Sequence, residues 1–94
     1  MIIERQALKD ILLFKPQIFK DNRGYFFESF KQSLISDFGL NLKFVQDNEV
    51  YSNNAGTIRG LHYQLEKPQG KLVHVIAGAI KDVAVDIRTD SPDF

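Results

Sequence analysis

The chain has 94 residues, no cysteine, and 12 basic side chains that balance 12 acidic ones. Balanced charge excludes binding to nucleic acid or to an anionic membrane through the overall field of the protein, so any anion must be recognised locally. The lack of cysteine excludes disulfides and thiolate metal sites, and no apolar run approaches the roughly 20 residues that cross a bilayer. We therefore expect a cytoplasmic protein with a single domain, residues 1–94, and no internal linker.

Short strands and a turn are predicted in the first third of the chain. Segments 11–14 and 17–20 are predicted to be short and extended, and Pro16 between them favours a break or a sheet edge because it lacks an N–H. Asp21-Asn22-Arg23-Gly24 has the chemistry of a turn, since Asn and Gly adopt positive φ readily. An aromatic strand is predicted to follow at 25–28.

One short helix is predicted after the aromatic strand. Ser29 and Gln32 have the spacing of a capping box, and Gly39 stands where a C-terminal cap belongs. The helical face comprises Phe30, Leu34, Ile35 and Phe38. The aromatic residues expected in the core are Phe26, Phe27, Phe30, Phe38 and Phe44.

Strands are predicted to dominate from residue 42 onward. Glycine-rich or polar turns separate the β-prone segments, which are 42–48, 57–64, 71–77 and 80–88. This pattern is typical of an antiparallel sandwich or barrel, so the predicted fold class is all-β. Alternation places Asp86 and Arg88 on one face, where an exposed pair would contribute little stability.

Groups capable of chemistry concentrate in two of these segments, Arg59-Gly60-Leu61-His62-Tyr63-Gln64 and Gln69-Gly70-Lys71. An imidazole supplies a base near neutral pH, and nearby cations stabilise an anion or an enolate oxygen. Arg59 and His62 have opposite parity in a regular strand, so a bulge at Gly60 is predicted to turn both toward one cavity. The pattern indicates proton transfer on an anionic substrate.

Each of these residues also has a plain structural interpretation. A lone histidine is more often structural than catalytic, and a lone lysine on a strand edge discourages aggregation. The arginines are then surface charges, and Gln46 and Asn48 satisfy backbone groups at a strand end.

A metal-dependent site would need several converging His and carboxylate ligands. The chain has no His-x-His, so metal binding is not expected.

Five segments occur in an order and spacing that carry a family likeness: Phe19–Glu28, Phe44–Asn48, Arg59–Gln64, Gln69–Val73 and Asp82–Arg88. With them the chain resembles the dTDP-4-dehydrorhamnose 3,5-epimerase family of bacterial nucleotide-sugar metabolism. The likeness covers nearly the whole chain. It implies a cupin-like jelly roll (a double-stranded β-helix), of which this chain is an incomplete N-terminal portion with one short helix. It also implies a homodimer with exchanged N-terminal strands and no cofactor.

The resemblance further implies an activity and the residues that perform it. The family inverts C3 and C5 of dTDP-4-dehydro-6-deoxy-D-glucose on the route to dTDP-L-rhamnose; both carbons flank the C4 ketone, which acidifies their protons. His62 would be the base, Lys71 would stabilise the enolate oxygen, and Arg59 would hold the substrate near the carbonyl or phosphates. The positions matching nucleotide-sugar contacts are Arg23, Glu28, Gln46 and Asn48, the first two serving the partner subunit's site.

The family sequence continues beyond Phe94 with further barrel strands. That part carries the tyrosine that acts as general acid and the carboxylate that orients the histidine, so the 94-residue chain is expected to be inactive by itself. His74 stands where the family often has arginine and is predicted to be non-catalytic. Three alternatives remain: a 3-epimerase, a ketoisomerase on the same substrate, or a non-catalytic truncated module for nucleotide-sugar binding or assembly.

Overall fold

A computed structural model describes the whole chain, residues 1–94. Its regular elements are strands β1 (Ile2–Arg5), β2 (Leu12–Lys15), β3 (Phe19–Asp21) and β4 (Gly24–Phe26), followed by helix α1 (Gln32–Asp37). The strands form two antiparallel sheets of two strands each, β1–β2 and β3–β4. The expectation of a strand-based chain with one short helix is confirmed.

The chain divides into two compact parts. The first comprises residues 1–31 together with 77–94, and the second comprises residues 32–76. Both sheets belong to the first part, and α1 belongs to the second. None of the helices in the structure combines the length and apolarity needed to cross a membrane.

The β1–β2 hairpin pairs Ile3 with Phe14 and Arg5 with Leu12. The loop between the strands is closed by the Gln6 N–H, which donates to the Ile11 carbonyl at 3.0 Å. Strand β1 was not predicted, because two isoleucines beside two charged residues form too short a pattern to separate from an irregular N-terminus.

The β3–β4 hairpin confirms the predicted turn. Asp21 pairs with Gly24, so Asn22 and Arg23 form the two-residue loop. The Asp21 carboxylate accepts a hydrogen bond from the Arg23 backbone N–H at 2.8 Å, which is how a turn aspartate satisfies the backbone two residues ahead. The aromatic strand is shorter than predicted and ends at Phe26.

Helix α1 ends as the sequence predicts but begins differently. Gly39 has a φ of +91°, its N–H donates to the Ser36 carbonyl, and the Leu40 N–H donates to the Ile35 carbonyl, which together form a Schellman cap. The capping-box prediction is wrong, because the helix begins at Gln32 itself. The Gln32 side chain instead donates to the Leu42 carbonyl at 2.6 Å.

The predicted strands at 42–48, 57–64, 71–77 and 80–88 are not formed. Backbone hydrogen bonds do not pair these segments with one another or with β1–β4. β-propensity expresses how well a residue fits a pleated, half-buried surface, so a segment needs a hydrogen-bonded neighbour and a covering layer before the preference produces a strand. In these segments Ile58 and Val45 remain 89% and 85% exposed, and neither condition is met.

The expected aromatic core is also largely wrong. Ile35 is the one buried hydrophobic residue, at 3% exposure, whereas Phe26 and Phe30 are 70% and 45% exposed. Phe27, Phe38 and Phe44 are intermediate in burial. Six helical residues and two small sheets cannot enclose so many large rings, because each element covers only one face of another.

Self-association of the chain is the expected consequence of this exposure, since unpaired β-prone segments with apolar side chains pair with other chains. Sedimentation velocity should show a mass that rises with concentration. Lysine in place of Ile58 or Leu65 should reduce the association, because both side chains are almost fully exposed and contribute no packing. Gln64→Lys adds the same charge beside them without removing an apolar group and is the control. A monomer at all concentrations would contradict this prediction.

A hydrogen-bonded network joins the C-terminal residues to the β1–β2 hairpin within the first part. The Arg88 guanidinium donates to Asp86 at 2.9 and 2.8 Å and to Asp10 at 2.9 Å. The Ser91 hydroxyl donates to the same Asp86 carboxylate at 2.6 Å, and the Lys9 N–H donates to Asp93 at 3.0 Å. The pairing of Asp86 with Arg88 was predicted as an exposed one, but the Asp86 side chain is only 8% exposed.

This network should make the C-terminal segment sensitive to acid. The hydrogen bonds from Arg88, and then from Ser91, hold the pKa of the Asp86 carboxyl well below its usual range. A carboxyl with a lowered pKa stabilises the folded chain above its unfolded pKa of about 4, and that contribution is lost as the pH falls below this value. Protection of the Arg88 amide, which also donates to Asp86, should therefore decline below about pH 4.

Hydrogen exchange measured residue by residue checks this expectation. Asp86→Asn should lower the protection factor of the Arg88 amide at pH values where the wild-type carboxylate is ionised. Asp90→Asn is the matched control, since Asp90 makes none of the network's hydrogen bonds. Equal protection in the wild type and Asp86→Asn would show that the network does not hold the segment.

Candidate functional site

The residues predicted for the site fall in both compact parts of the chain, and each part is described by itself. Arg23 and Glu28 lie in the first part. The second part contains the others, Gln46, Asn48, Arg59, His62 and Lys71. Glu28 is exposed between β4 and α1.

Arg23 lies at the tip of the β3–β4 hairpin, where it forms an ion pair with Asp21. Its Nε and Nη2 donate to one carboxylate oxygen at 3.2 and 2.7 Å. The hydrogen bonds from the Arg23 side chain and then its backbone hold the pKa of Asp21 below its ordinary value. The Arg23 side chain is 86% exposed, so it remains accessible to a ligand, although Asp21 offsets part of its charge.

A shallow groove runs along the same hairpin. Its volume is about 360 Å³, and it is lined by Phe19, Lys20, Asp21, Arg23, Gly24, Tyr25 and Phe26. The rings of Phe19 and Phe26 lie 6.5 Å apart in a tilted arrangement. Exposed aromatic faces beside cationic side chains suit a flat, anionic ligand, because the rings stack and the cations pair with the charge.

In the second part, Gln46 and Asn48 lie together. The Gln46 side-chain amide donates to the Asn48 side-chain carbonyl at 3.2 Å. Both residues are exposed. Their amides present further donors and acceptors, which is the chemistry that recognises sugar hydroxyls and the edges of a base.

Arg59 is brought next to Ser52 by the loop between them. Its Nε and Nη2 donate to the Ser52 hydroxyl at 3.3 and 3.2 Å. Within the loop, the Thr57 hydroxyl donates to the Asn54 carbonyl at 2.7 Å. Arg59 forms no ion pair with a carboxylate, unlike Arg23 and Arg88. Its positive charge is therefore uncompensated, which favours binding of an anion.

The imidazole of His62 lies against the backbone of Gly60. A Cβ added to Gly60 would lie 3.5 Å from His62 Nδ1, and the φ of Gly60 is +96°, in the region that favours glycine. The predicted β-bulge is wrong, because residues 57–64 have no partner strand and a bulge is defined within a paired ladder. The glycine backbone nevertheless determines how the chain turns between Arg59 and His62.

Lys71 is exposed and follows Gly70, where an added Cβ would lie 3.9 Å from the Leu42 side chain. Hydrogen bonds and ion pairs do not join Arg59, His62 and Lys71 to one another. Groups of three or more His, Cys, Asp or Glu side chains with the geometry to hold a metal ion are absent from the structure. The second part therefore presents a base and two cations on an open surface.

Sequence reasoning missed the partners of both predicted arginines. Asp21 lies two residues before Arg23, a spacing that a turn can bring together, so a signal was available. Ser52 and Arg59 are seven residues apart, and only the closed loop places them in contact. Serine is common in loops, so the sequence contains no signal for this contact.

Comparison with known proteins places these motifs in a family. Residues 5–94 match the family model described as dTDP-4-dehydrorhamnose 3,5-epimerase. Proteins of that name from Methanothermobacter thermautotrophicus, Shigella flexneri and Pseudomonas aeruginosa are each 48% identical to the chain, over 90, 96 and 91 residues. These alignments cover 96%, 100% and 96% of this chain but 48%, 52% and 50% of the three relatives. The chain thus spans about half the length of the curated relatives it matches. No solved structure matches it.

Proposed function

We propose, since this chain belongs to the dTDP-4-dehydrorhamnose 3,5-epimerase family, that it forms the base-bearing half of a cofactor-independent sugar-nucleotide epimerase. The proposed substrate is dTDP-4-dehydro-6-deoxy-D-glucose, inverted at C3 and C5 to give dTDP-4-dehydro-L-rhamnose. The observation that carries the proposal is the match over residues 5–94, which includes Arg59, His62 and Lys71 in their motifs. Functionally, each of these three residues supplies a group that enolate chemistry needs.

The proposed reaction begins with removal of a ring proton by His62. A proton on C3 or C5 is acidic because the electron pair left behind delocalises into the C4 ketone, producing an enolate. Lys71 supplies a positive charge to the enolate oxygen, where such stabilisation acts most strongly on the transition state. A general acid then returns a proton to the opposite face of the carbon, which inverts it. In this proposal the acid, a tyrosine, comes from a segment outside residues 1–94.

Binding of the nucleotide part is assigned to two surfaces. Arg59, whose charge is uncompensated, is suited to the carbonyl or the diphosphate, and Gln46 and Asn48 are suited to hydroxyl groups. Arg23 and Glu28 are proposed to serve the site of the partner subunit in a homodimer. The groove beside Arg23 supports this assignment, since its exposed Phe19 and Phe26 rings offer stacking surfaces for thymine.

The proposed architecture is the N-terminal portion of a cupin-like jelly roll within a homodimer, located in the cytoplasm. Two observations support the architecture. Four β-prone segments after residue 42 lack strand partners, and most of their apolar side chains are exposed, which is the condition expected of segments that pair with other strands. Absence of cysteine fits a reducing compartment.

Calorimetry and isotope exchange test the proposal together. We expect the 94-residue chain to bind dTDP, with Arg59→Ala weakening the affinity by at least about tenfold, as expected for a lost hydrogen bond to a charged group. We expect exchange of the substrate's C3 and C5 protons with deuterated solvent only when the chain is joined to the C-terminal half of a relative. Binding without exchange in the joined protein would favour the non-catalytic module instead. Exchange confined to C3 would identify a 3-epimerase.

A further inference from the structure

The contact between Arg59 and Ser52 assigns a role to a residue that the motifs do not include. We propose that Ser52 is a positioning residue, which orients the Arg59 guanidinium so that its remaining N–H groups face a phosphoryl group of the ligand. The inference rests on the proposed function, because it takes Arg59 as the residue that holds the nucleotide-sugar.

The geometry of the contact supports this role. Two nitrogens of Arg59, Nε and Nη2, donate to the same Ser52 oxygen at 3.3 and 3.2 Å. One edge of the planar guanidinium is thus directed at the hydroxyl, which sets the orientation of the plane. Nη1 and one N–H of Nη2 remain available, and a planar fork of donors matches two oxygens of a phosphate.

The chemistry of Ser52, the hydrogen-bond partner of Arg59, matters as much as its position. Serine is neutral, so it leaves the positive charge of Arg59 intact, whereas Asp21 offsets the charge of Arg23 at 2.7 Å. A hydroxyl accepts with its lone pairs while its own O–H stays free to donate. Ser52 can therefore give a hydrogen bond to the same anion that Arg59 binds.

The loop that contains Ser52 makes the arrangement a local property. The Thr57 hydroxyl closes the turn by donating to the Asn54 carbonyl at 2.7 Å, and this turn brings positions 52 and 59 together. Both partners belong to the compact part 32–76. The orientation of Arg59 therefore depends on residues within eight positions of one another and not on distant packing.

Nuclear magnetic resonance and calorimetry on the 94-residue chain test the inference. In Ser52→Ala, the Arg59 Nε–H resonance should shift and its exchange with water should accelerate. The affinity for dTDP should fall about two- to tenfold, the range for one lost hydrogen bond. The affinity for thymidine, which lacks phosphates, should stay the same, and that selectivity distinguishes positioning from a general loss of structure. Ser52→Thr keeps the hydroxyl and should restore both signals.

Ser36→Ala is the matched control, since the Ser36 hydroxyl donates to the Gln32 carbonyl within α1 and should leave the dTDP affinity unchanged. An unaltered Arg59 resonance in Ser52→Ala, or an unaltered dTDP affinity, would overturn the inference. If dTDP binding depends on Arg59 but not on Ser52, the inference alone fails. If the wild-type chain does not bind dTDP, or Arg59→Ala binds it equally well, the proposed function of Arg59 fails and the inference fails with it.

Discussion

Exchange of the substrate's C3 and C5 protons with deuterated solvent is expected to fall by about 10²–10⁴-fold when His62 is replaced by alanine, the range for loss of a positioned general base. The protein for this measurement joins the chain to the C-terminal half of the Shigella flexneri relative, which is 48% identical over the shared region. Exchange is followed by proton NMR of the substrate. It reports the first chemical step directly, whether or not inversion is completed.

The chain provides a matched control for this measurement. His74 is the other of its two histidines, and it is predicted to be non-catalytic. His74→Ala should therefore retain exchange close to that of the wild type. Circular dichroism and dTDP affinity, both expected to be unchanged in His62→Ala, would show that the variant is folded and still binds. Full exchange in His62→Ala would remove His62 from the role of base.

Replacing Lys71 by methionine is expected to lower the same exchange rate by about 10²–10³-fold, because the variant loses the charge proposed to stabilise the developing enolate oxygen. Methionine preserves much of the length of the side chain, so the change is mainly electrostatic. The rate at saturating substrate should fall more than the affinity for dTDP, since the charge is needed most in the transition state. Steady-state exchange measured across substrate concentrations separates the two effects.

Lys67→Met is the control for Lys71→Met. Lys67 lies in the turn four positions earlier, with a φ of +53°. The Lys67→Met substitution removes the same charge from a neighbouring part of the surface. A loss of exchange as large as that in Lys71→Met would attribute the effect to general electrostatics. A Lys71→Met variant that exchanges at the wild-type rate would exclude Lys71 from enolate stabilisation.

The local elements of this chain could be predicted because their signals lie within a few residues. The Asp21–Gly24 turn and the Gly39 cap of α1 both form as predicted. In each case a residue that readily adopts a turn conformation stands next to the backbone N–H and C=O groups that form hydrogen bonds in that conformation. Asp86 and Arg88 also pair, but alternation had placed them on one face of a strand that does not form; they meet because they lie two residues apart, and the burial of Asp86 was not predicted.

The failure of the segments after residue 42 to form strands could not be predicted in the same way. Their residues have high β-propensity, but a strand requires hydrogen-bonded neighbours that are distant in sequence. Exposed residues such as Val45, at 85%, show that no layer covers these segments. The predicted bulge at Gly60 was wrong for the same reason, while the positive φ of that glycine is a local property that its residue type permits.

The same distinction between local signals and contacts made on folding applies to the predicted site. The motif residues Arg59, His62 and Lys71, and with them the family, were identified from residue type, order and spacing, all of which are written in the sequence. The partners of the arginines were not identified. Asp21 lies within the predicted turn, so its contact with Arg23 had a signal that was missed, whereas Ser52 meets Arg59 only because the loop between them closes.

By itself, then, the sequence determined the family, the candidate base and cations, and the short-range turns and caps. The tertiary structure decided which charges are offset and which stay available: Arg23 and Arg88 are paired with carboxylates, and Arg59 only with a hydroxyl. The reason is physical. A motif specifies which groups are present, but the electrostatic and hydrogen-bonding state of a group depends on neighbours that folding alone brings within about 3 Å.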